Sequence, residues 1–143
     1  GALGVGANLL HWNDAERKQA KAWIALYKEI RDIVQLGDQY RLLRAQGQGY
    51  SAVQYMAKDA SEGVLFAFRT HMSEPPVFPT LYLRGLDEDA LYTVEGIDGA
   101  RAGSAWMRAG LQVPLKSEIV WTEGTMEYKI GDFTAAVRRI RRS

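Results

Sequence analysis

Two hydrophobic periods divide the chain. Across residues 13–36, Ala20, Trp23, Ile24, Tyr27, Ile30 and Val34 recur at helical spacing and form one apolar stripe. Arg17, Lys18, Lys21, Lys28 and Asp32 fall largely off it. Asn13 is placed to accept from the free N–H groups of the first turn. Glu16 stands three residues on, as in a capping box. Asp14 and Glu16 put negative charge at the positive end of the helix dipole. Gly37 fits the left-handed position that often ends a helix. The pattern predicts a helix of about 22 residues, near 33 Å long. That exceeds what packing on a sheet sandwich needs, so the stripe is expected to meet a further partner.

After Gly37 the period changes to two. Residues 40–44 read as the first strand, and residues 46–49 as a glycine-rich turn. Residues 50–58 and 63–70 read as a hairpin around Asp59-Ala60-Ser61. In the second arm Val64, Phe66 and Phe68 alternate with Leu65, Ala67 and Arg69. Both faces are apolar for most of its length, which predicts a central strand. Three of the four prolines fall in residues 73–79, which must loop, since proline lacks the ladder N–H. Further strands are expected at 80–84, 90–95, 111–115, 118–122 and 126–130, with one helical turn at 104–109 that brings Trp106 and Met107 inward. Short strands at regular spacing predict an antiparallel β-sandwich after the helix. Residues 134–141 fit either element: Phe133, Val137 and Ile140 suit a helix, Phe133, Ala135 and Val137 a strand. Propensity favours helix. Residues 1–10 are small and apolar, and read as a buried strand and a loop.

Composition narrows the classes. The 143 residues are 47% hydrophobic and 24% charged, with net charge +1. That total implies no strong attraction to nucleic acid or anionic membrane. No apolar run approaches the roughly 18–20 residues of a membrane-spanning helix. Absent cysteine rules out disulfides, thiolate metal sites and a cysteine nucleophile, and leaves the compartment open with the cytoplasm favoured. The abrupt, glycine-rich, apolar start reads as a piece cut from something longer.

No residue set declares a reaction. Gly4-Val5-Gly6 lacks the third glycine and the immediate helix of a dinucleotide loop. Asp87, Glu88 and Asp89 form an acidic cluster, but adjacent acids on a turn point apart, whereas glycosidase chemistry needs two carboxylates facing one cleft. Asp59 and Glu62 lie similarly at a hairpin tip. His11 and His71 lack partners at metal-ligand spacing. No nucleophile elbow is present. Arg138, Arg139, Arg141 and Arg142 make a basic end, read as a charged edge strand that discourages aggregation. Trp23, Trp106 and Trp121 fall in apolar patterns expected in core or interface, and Trp12 stays open. A carbohydrate-binding platform built from Trp12, Tyr50 or Tyr92 is the alternative to a purely structural role. The expected tally is therefore no catalytic, cofactor-binding or metal-ligating residue.

Four stretches carry a family resemblance: GALGVGANLLHW at 1–12, YKEIRDIVQLGDQYRL at 27–42, VLFAFR at 64–69 and LYLRGLDEDALYTVEG at 81–96. Together they resemble the C-terminal end of a bacterial α-galactosidase (melibiase) of glycoside hydrolase family 36. The resemblance implies that residues 1–37 are the last strand and helix of a (β/α)₈ barrel. Residues 38–143 would be a Greek-key C-terminal β-sandwich. It also tips 134–141 toward strand. It implies a parent that hydrolyses terminal α-galactosyl residues with retention, both catalytic aspartates lying upstream. The chain's partner would be the barrel, with the α-galactoside bound by the parent only. Nucleic acid and membrane are not implied, and a homo-oligomer stays open. The stretch 115–130 departs from the usual family ending.

Overall fold

The computed structural model describes residues 3, 4, 6, 9–44, 49–71, 79–113, 115, 118–122, 125–129 and 134–143. A 3₁₀ turn (Leu9–His11) leads into helix α1, Asp14–Leu36. The predicted cap is present: Glu16 N donates to Asn13 Oδ1 at 2.9 Å, and Asn13 N donates to Glu16 Oε2 at 2.8 Å. Strands follow at β1 (Asp38–Leu43), β2 (Tyr50–Met56), β3 (Glu62–Arg69), β4 (Leu91–Val94) and β5 (Arg101–Ala102). Then come the short helix α2 (Gly103–Arg108), β6 (Glu118–Thr122), β7 (Thr125–Lys129) and β8 (Thr134–Arg142). The proline-rich stretch 73–78 and the turn residues 46–48 lie outside the described residues.

The main sheet has six strands in the order β1-β2-β3-β8-β4-β5, and β6–β7 form a separate hairpin. Every pairing among the described residues is antiparallel, so the expected mainly β, antiparallel fold preceded by one long helix is what the chain forms. On one face, Tyr50, Ala52, Met56, Leu65, Ala67, Tyr92, Val94 and Ile140 meet a second layer of Leu81, Leu83, Leu86, Trp106, Leu111, Val113 and Leu115. On the other face, Val64 and Phe66 meet Ile30, Ile33 and Val34 of α1. The register explains this division. Phe66 pairs with Val137 and Val64 with Arg139 on the helix face, while Gly63 pairs with Ile140 on the other.

Several expectations are corrected. Among the described residues of 80–84 and 111–115 there is no continuous strand; an isolated bridge joins Leu81 to Leu111. Instead, the Gln54 side chain bonds both ways to the Arg84 backbone, with Nε2 donating to the carbonyl at 2.7 Å and Oε1 accepting from N–H at 2.9 Å. A buried amide thus supplies the rung that a strand would have supplied. Residues 134–142 are strand, as the family resemblance implies and against helix propensity, because β3 and β4 flank them on both sides. The arginine-rich end is therefore a central strand and not the expected edge; the edges are β1 and β5. Two of its four charges meet acidic partners: Arg139 pairs with Glu29 and Arg142 with Asp87. Leu3, Gly4 and Gly6 are exposed, and the other residues of the strand expected at 1–8 lie outside the described residues.

Gly37 is also not left-handed. Its φ of −74° and ψ of 173° are extended, so the helix passes into β1 across one residue. Glycine is required there for space. A Cβ would stand 2.4 Å from the Met56 carbonyl oxygen and 2.5 Å from that of Ile33. At the β2–β3 tip, Ala60 takes φ +55°, and Asp59 accepts from the Ser61 N–H and hydroxyl. Those bonds, the hydroxyl's first, hold the Asp59 carboxyl below its ordinary pKa.

Candidate functional site

The helix stripe is used unevenly. Ile30, Ile33 and Val34, in the second half of α1, are buried on the sheet. In the first half, Trp23 is 45% exposed and Ile24 38% exposed. Between them, α1 and the sheet leave an apolar cleft of about 210 Å³, bordered by Leu3, Trp23, Leu26, Phe66 and Val137. A neighbouring depression shares Trp23, Leu26 and Val137 and runs along residues 134–138 of β8. The apolar surface continues on β3. Phe66 packs edge-on to Tyr55 at 6.1 Å and stacks with Phe68 at 6.4 Å, and Phe68 is 41% exposed. The Arg139–Glu29 ion pair ties β8 to α1 beside this strip. The strip is hydrophobic surface bounded by a charged pair, the composition of a docking face.

Of the carboxylates singled out from the sequence, Asp59, Asp87 and Glu88 are engaged on turns, and Glu62 opens β3. Asp87 accepts from Asp89 N at 3.1 Å and from Arg142 at 3.0 Å, and Glu88 accepts from Arg108 at 3.0 Å. His11 and His71 are exposed on separate elements. Among the described residues, no three His, Asp or Glu side chains gather as a metal site.

The aromatic platform is overturned. Tyr50 is 3% exposed and donates to the Val113 carbonyl at 3.0 Å. Burial pushes its phenol pKa up, with Arg69 pulling it partly back. Tyr92 is fully buried, donates to the Ala60 carbonyl at 2.8 Å and accepts from Asp87 N at 3.1 Å. Neither ring can present a face to a sugar. Trp12 is half-buried. Trp106 is core, as expected, with Nε1 donating to the Tyr92 carbonyl and Arg101 over its ring at 4.6 Å. Trp23 is the exposed member of the set, and the side chain of Trp121 lies outside the description.

Two buried polar groups escaped the sequence reading. Gln54 is wholly buried. Arg69 is 3% exposed and donates to the Leu115 carbonyl at 3.2 Å and to Thr134 Oγ1 at 2.9 Å. Both sit on the core parity of otherwise apolar strands, and a polar residue at that parity was the available signal. They join the sheet to the layer above it.

Comparison with known proteins gives one answer. The family model described as the glycosyl hydrolase family 36 C-terminal domain matches residues 50–140. A probable alpha-galactosidase C of Aspergillus terreus is 35% identical over 119 residues, covering 83% of this chain and 16% of that protein. The GH36 alpha-galactosidase AgaB of Geobacillus stearothermophilus superposes with a TM-score of 0.78 at 28% identity, over 94% of this chain and 17% of that one. A variant of alpha-galactosidase AgaA from the same organism, solved in complex with raffinose, gives 0.79 at 26% identity, over 95% and 17%. The chain thus spans about a sixth of the length of these relatives. Family match, superposition and relatives agree, and the chain belongs to the C-terminal domain family of glycosyl hydrolase family 36.

Proposed function

We propose that this chain is the C-terminal portion of an α-galactosidase and acts there as a non-catalytic supporting domain. In this reading residues 1–37 complete a (β/α)₈ barrel and residues 38–143 form the sandwich that covers it. The parent hydrolyses terminal α-galactosyl residues, of the kind that end raffinose, with retention. Retention requires two carboxylates about 5–5.5 Å apart across the scissile bond. Both belong to barrel motifs upstream of this chain, which itself contributes no catalytic, metal or cofactor ligand.

One observation carries the reading: the half-used stripe of α1. Its second half is satisfied by the sheet, while Trp23 and Ile24 stand exposed beside an apolar cleft. A helix belonging to a barrel needs apolar cover on that side, and the barrel's neighbouring elements supply it. The test compares the complete protein with the isolated 143-residue chain on an aryl α-galactoside. Release by the complete protein and none by the chain is expected. A complete protein inert toward α-galactosides, or a chain that cleaves them alone, overturns the proposal.

A further inference from the structure

The turn that joins β4 to β5 carries the chain's one Asp-Gly pair, Asp98-Gly99, and the sequence has no Asn-Gly. Both residues are exposed. The turn is anchored on either side of them. Ile97 N donates to the Val94 carbonyl at 3.0 Å, and Leu91 pairs with Ala102 and Tyr92 with Arg101. Asp98 and Gly99 lie outside these bonds. Among the described residues nothing accepts from the Gly99 N–H, and no donor or cation holds the Asp98 carboxylate.

Three other aspartates are committed. The Asp59 carboxylate accepts twice from Ser61, and the next amide, Ala60 N, donates to the Ala57 carbonyl at 2.9 Å. Asp87 is held by Arg142 and Asp89 N, and Asp38 by Lys58. Asp98 also has the least hindered neighbour. Gly99 takes φ +81°, and a Cβ there would meet nothing within 4 Å. Without a side chain, glycine leaves its own nitrogen unshielded and its backbone free to turn. A free carboxyl and an unbonded amide nitrogen one residue on are the two reactants for closing a succinimide ring.

We propose that Asp98 is a site of spontaneous backbone isomerisation to isoaspartate, which makes the β4–β5 turn a substrate for enzymes that methylate isoaspartyl carboxyls. Gly99 N forms a bond to Asp98 Cγ, and the carboxyl hydroxyl departs with the amide proton as one water. A second water opens the ring. Cleavage between nitrogen and Cγ returns aspartate. Cleavage between nitrogen and the α-carbonyl carbon leaves Gly99 joined through Cγ, with the former α-carbonyl as the free acid. The added backbone carbon falls at the tip, outside both strand pairs, where a longer link is tolerated. The site stands independently of the α-galactosidase reading.

The experiment ages the complete protein in neutral buffer. Isoaspartate is read by enzymatic transfer of a labelled methyl group and located by mass spectrometry of the digested chain. Label grows with time on the peptide that contains Asp98, and in heavy-oxygen water that peptide gains one heavy oxygen at each ring opening. Asp98→Glu removes the label, because its longer side chain closes a larger ring more slowly. Asp98→Asn speeds labelling, because ammonia leaves more readily than the carboxyl oxygen. Neither substitution disturbs a bond of the fold, so both proteins fold. A synthetic peptide of residues 95–101 gives the rate without the fold, and the folded protein matches it closely. No label on the Asp98 peptide overturns the proposal, as does label that survives Asp98→Glu. A folded protein that ages many-fold more slowly than the free peptide overturns it too, since the fold would then shield the pair. The readout is backbone linkage and not hydrolysis, so failure here is distinct from failure of the catalytic proposal.

Discussion

Gln54→Leu isolates the amide rung that joins β2 to the 81–84 segment. Gln54 is wholly buried, and its side chain makes two hydrogen bonds, of 2.7 and 2.9 Å, to the Arg84 backbone. Leucine retains most of the volume and removes both bonds. The Arg84 N–H and carbonyl are part-buried, so water replaces the lost partners only partly. At about 0.5–1.5 kcal/mol per bond the loss is about 1–3 kcal/mol, reduced by the more favourable burial of leucine. A net loss near 2 kcal/mol lowers Tm by roughly 6–8 °C in a domain of this size. Urea unfolding followed by Trp106 fluorescence reads the change, because Trp106 is fully buried in the layer that Gln54 anchors. Gln54→Glu adds a sign test. A carboxylate can accept from Arg84 N–H but opposes the carbonyl, whereas the protonated acid satisfies both. Its folded pKa therefore rises above the unfolded value of about 4.3. The extra stability of the acid form is fully present below that unfolded value and is lost as pH climbs through the folded one. A leucine variant as stable as the parent sequence, or a glutamate variant with no acid-side gain, refutes the reasoning.

Gly37→Ala forces a methyl against two backbone carbonyls and is expected to cost about 1–3 kcal/mol in denaturant unfolding. Ala60→Gly relieves a left-handed alanine and should be neutral to stabilising by up to about 1 kcal/mol, since the entropy lost by glycine offsets part of the relief. The Tyr50 phenol, raised above 10.0 by burial, contributes stability that is complete below its unfolded pKa and falls as pH rises through the folded value. Tyr50→Phe should therefore flatten the alkaline limb of a pH–stability profile, while losing about 1 kcal/mol at neutral pH with the bond to Val113. Trp23→Ala should destabilise the complete protein more than the isolated chain, because Trp23 is half-exposed here and covered in the proposed parent; equal losses in paired melts would contradict that.

Some features of this protein were legible residue by residue. The α1 stripe, its Asn13–Glu16 cap, the β2–β3 hairpin and the α2 turn around Trp106 all follow from local spacing and short-range bonding. The period of the pattern names the element, and nothing distant competes with it. Other features depended on which segments meet. Thr134–Arg142 has helical propensity but is strand because β3 and β4 offer it hydrogen-bond partners on both edges. Gly37 reads in sequence as a helix stop, yet only the approach of Met56 shows that space, and not φ, demands glycine. Tyr50 and Tyr92 looked available for a ligand until the second layer buried them. Sequence by itself determined where the chain turns and which faces are apolar, since those depend on neighbours a few residues away. Tertiary structure decided which strand is central, which aromatic is covered and which charge is matched, since pairing and burial depend on residues tens of positions apart.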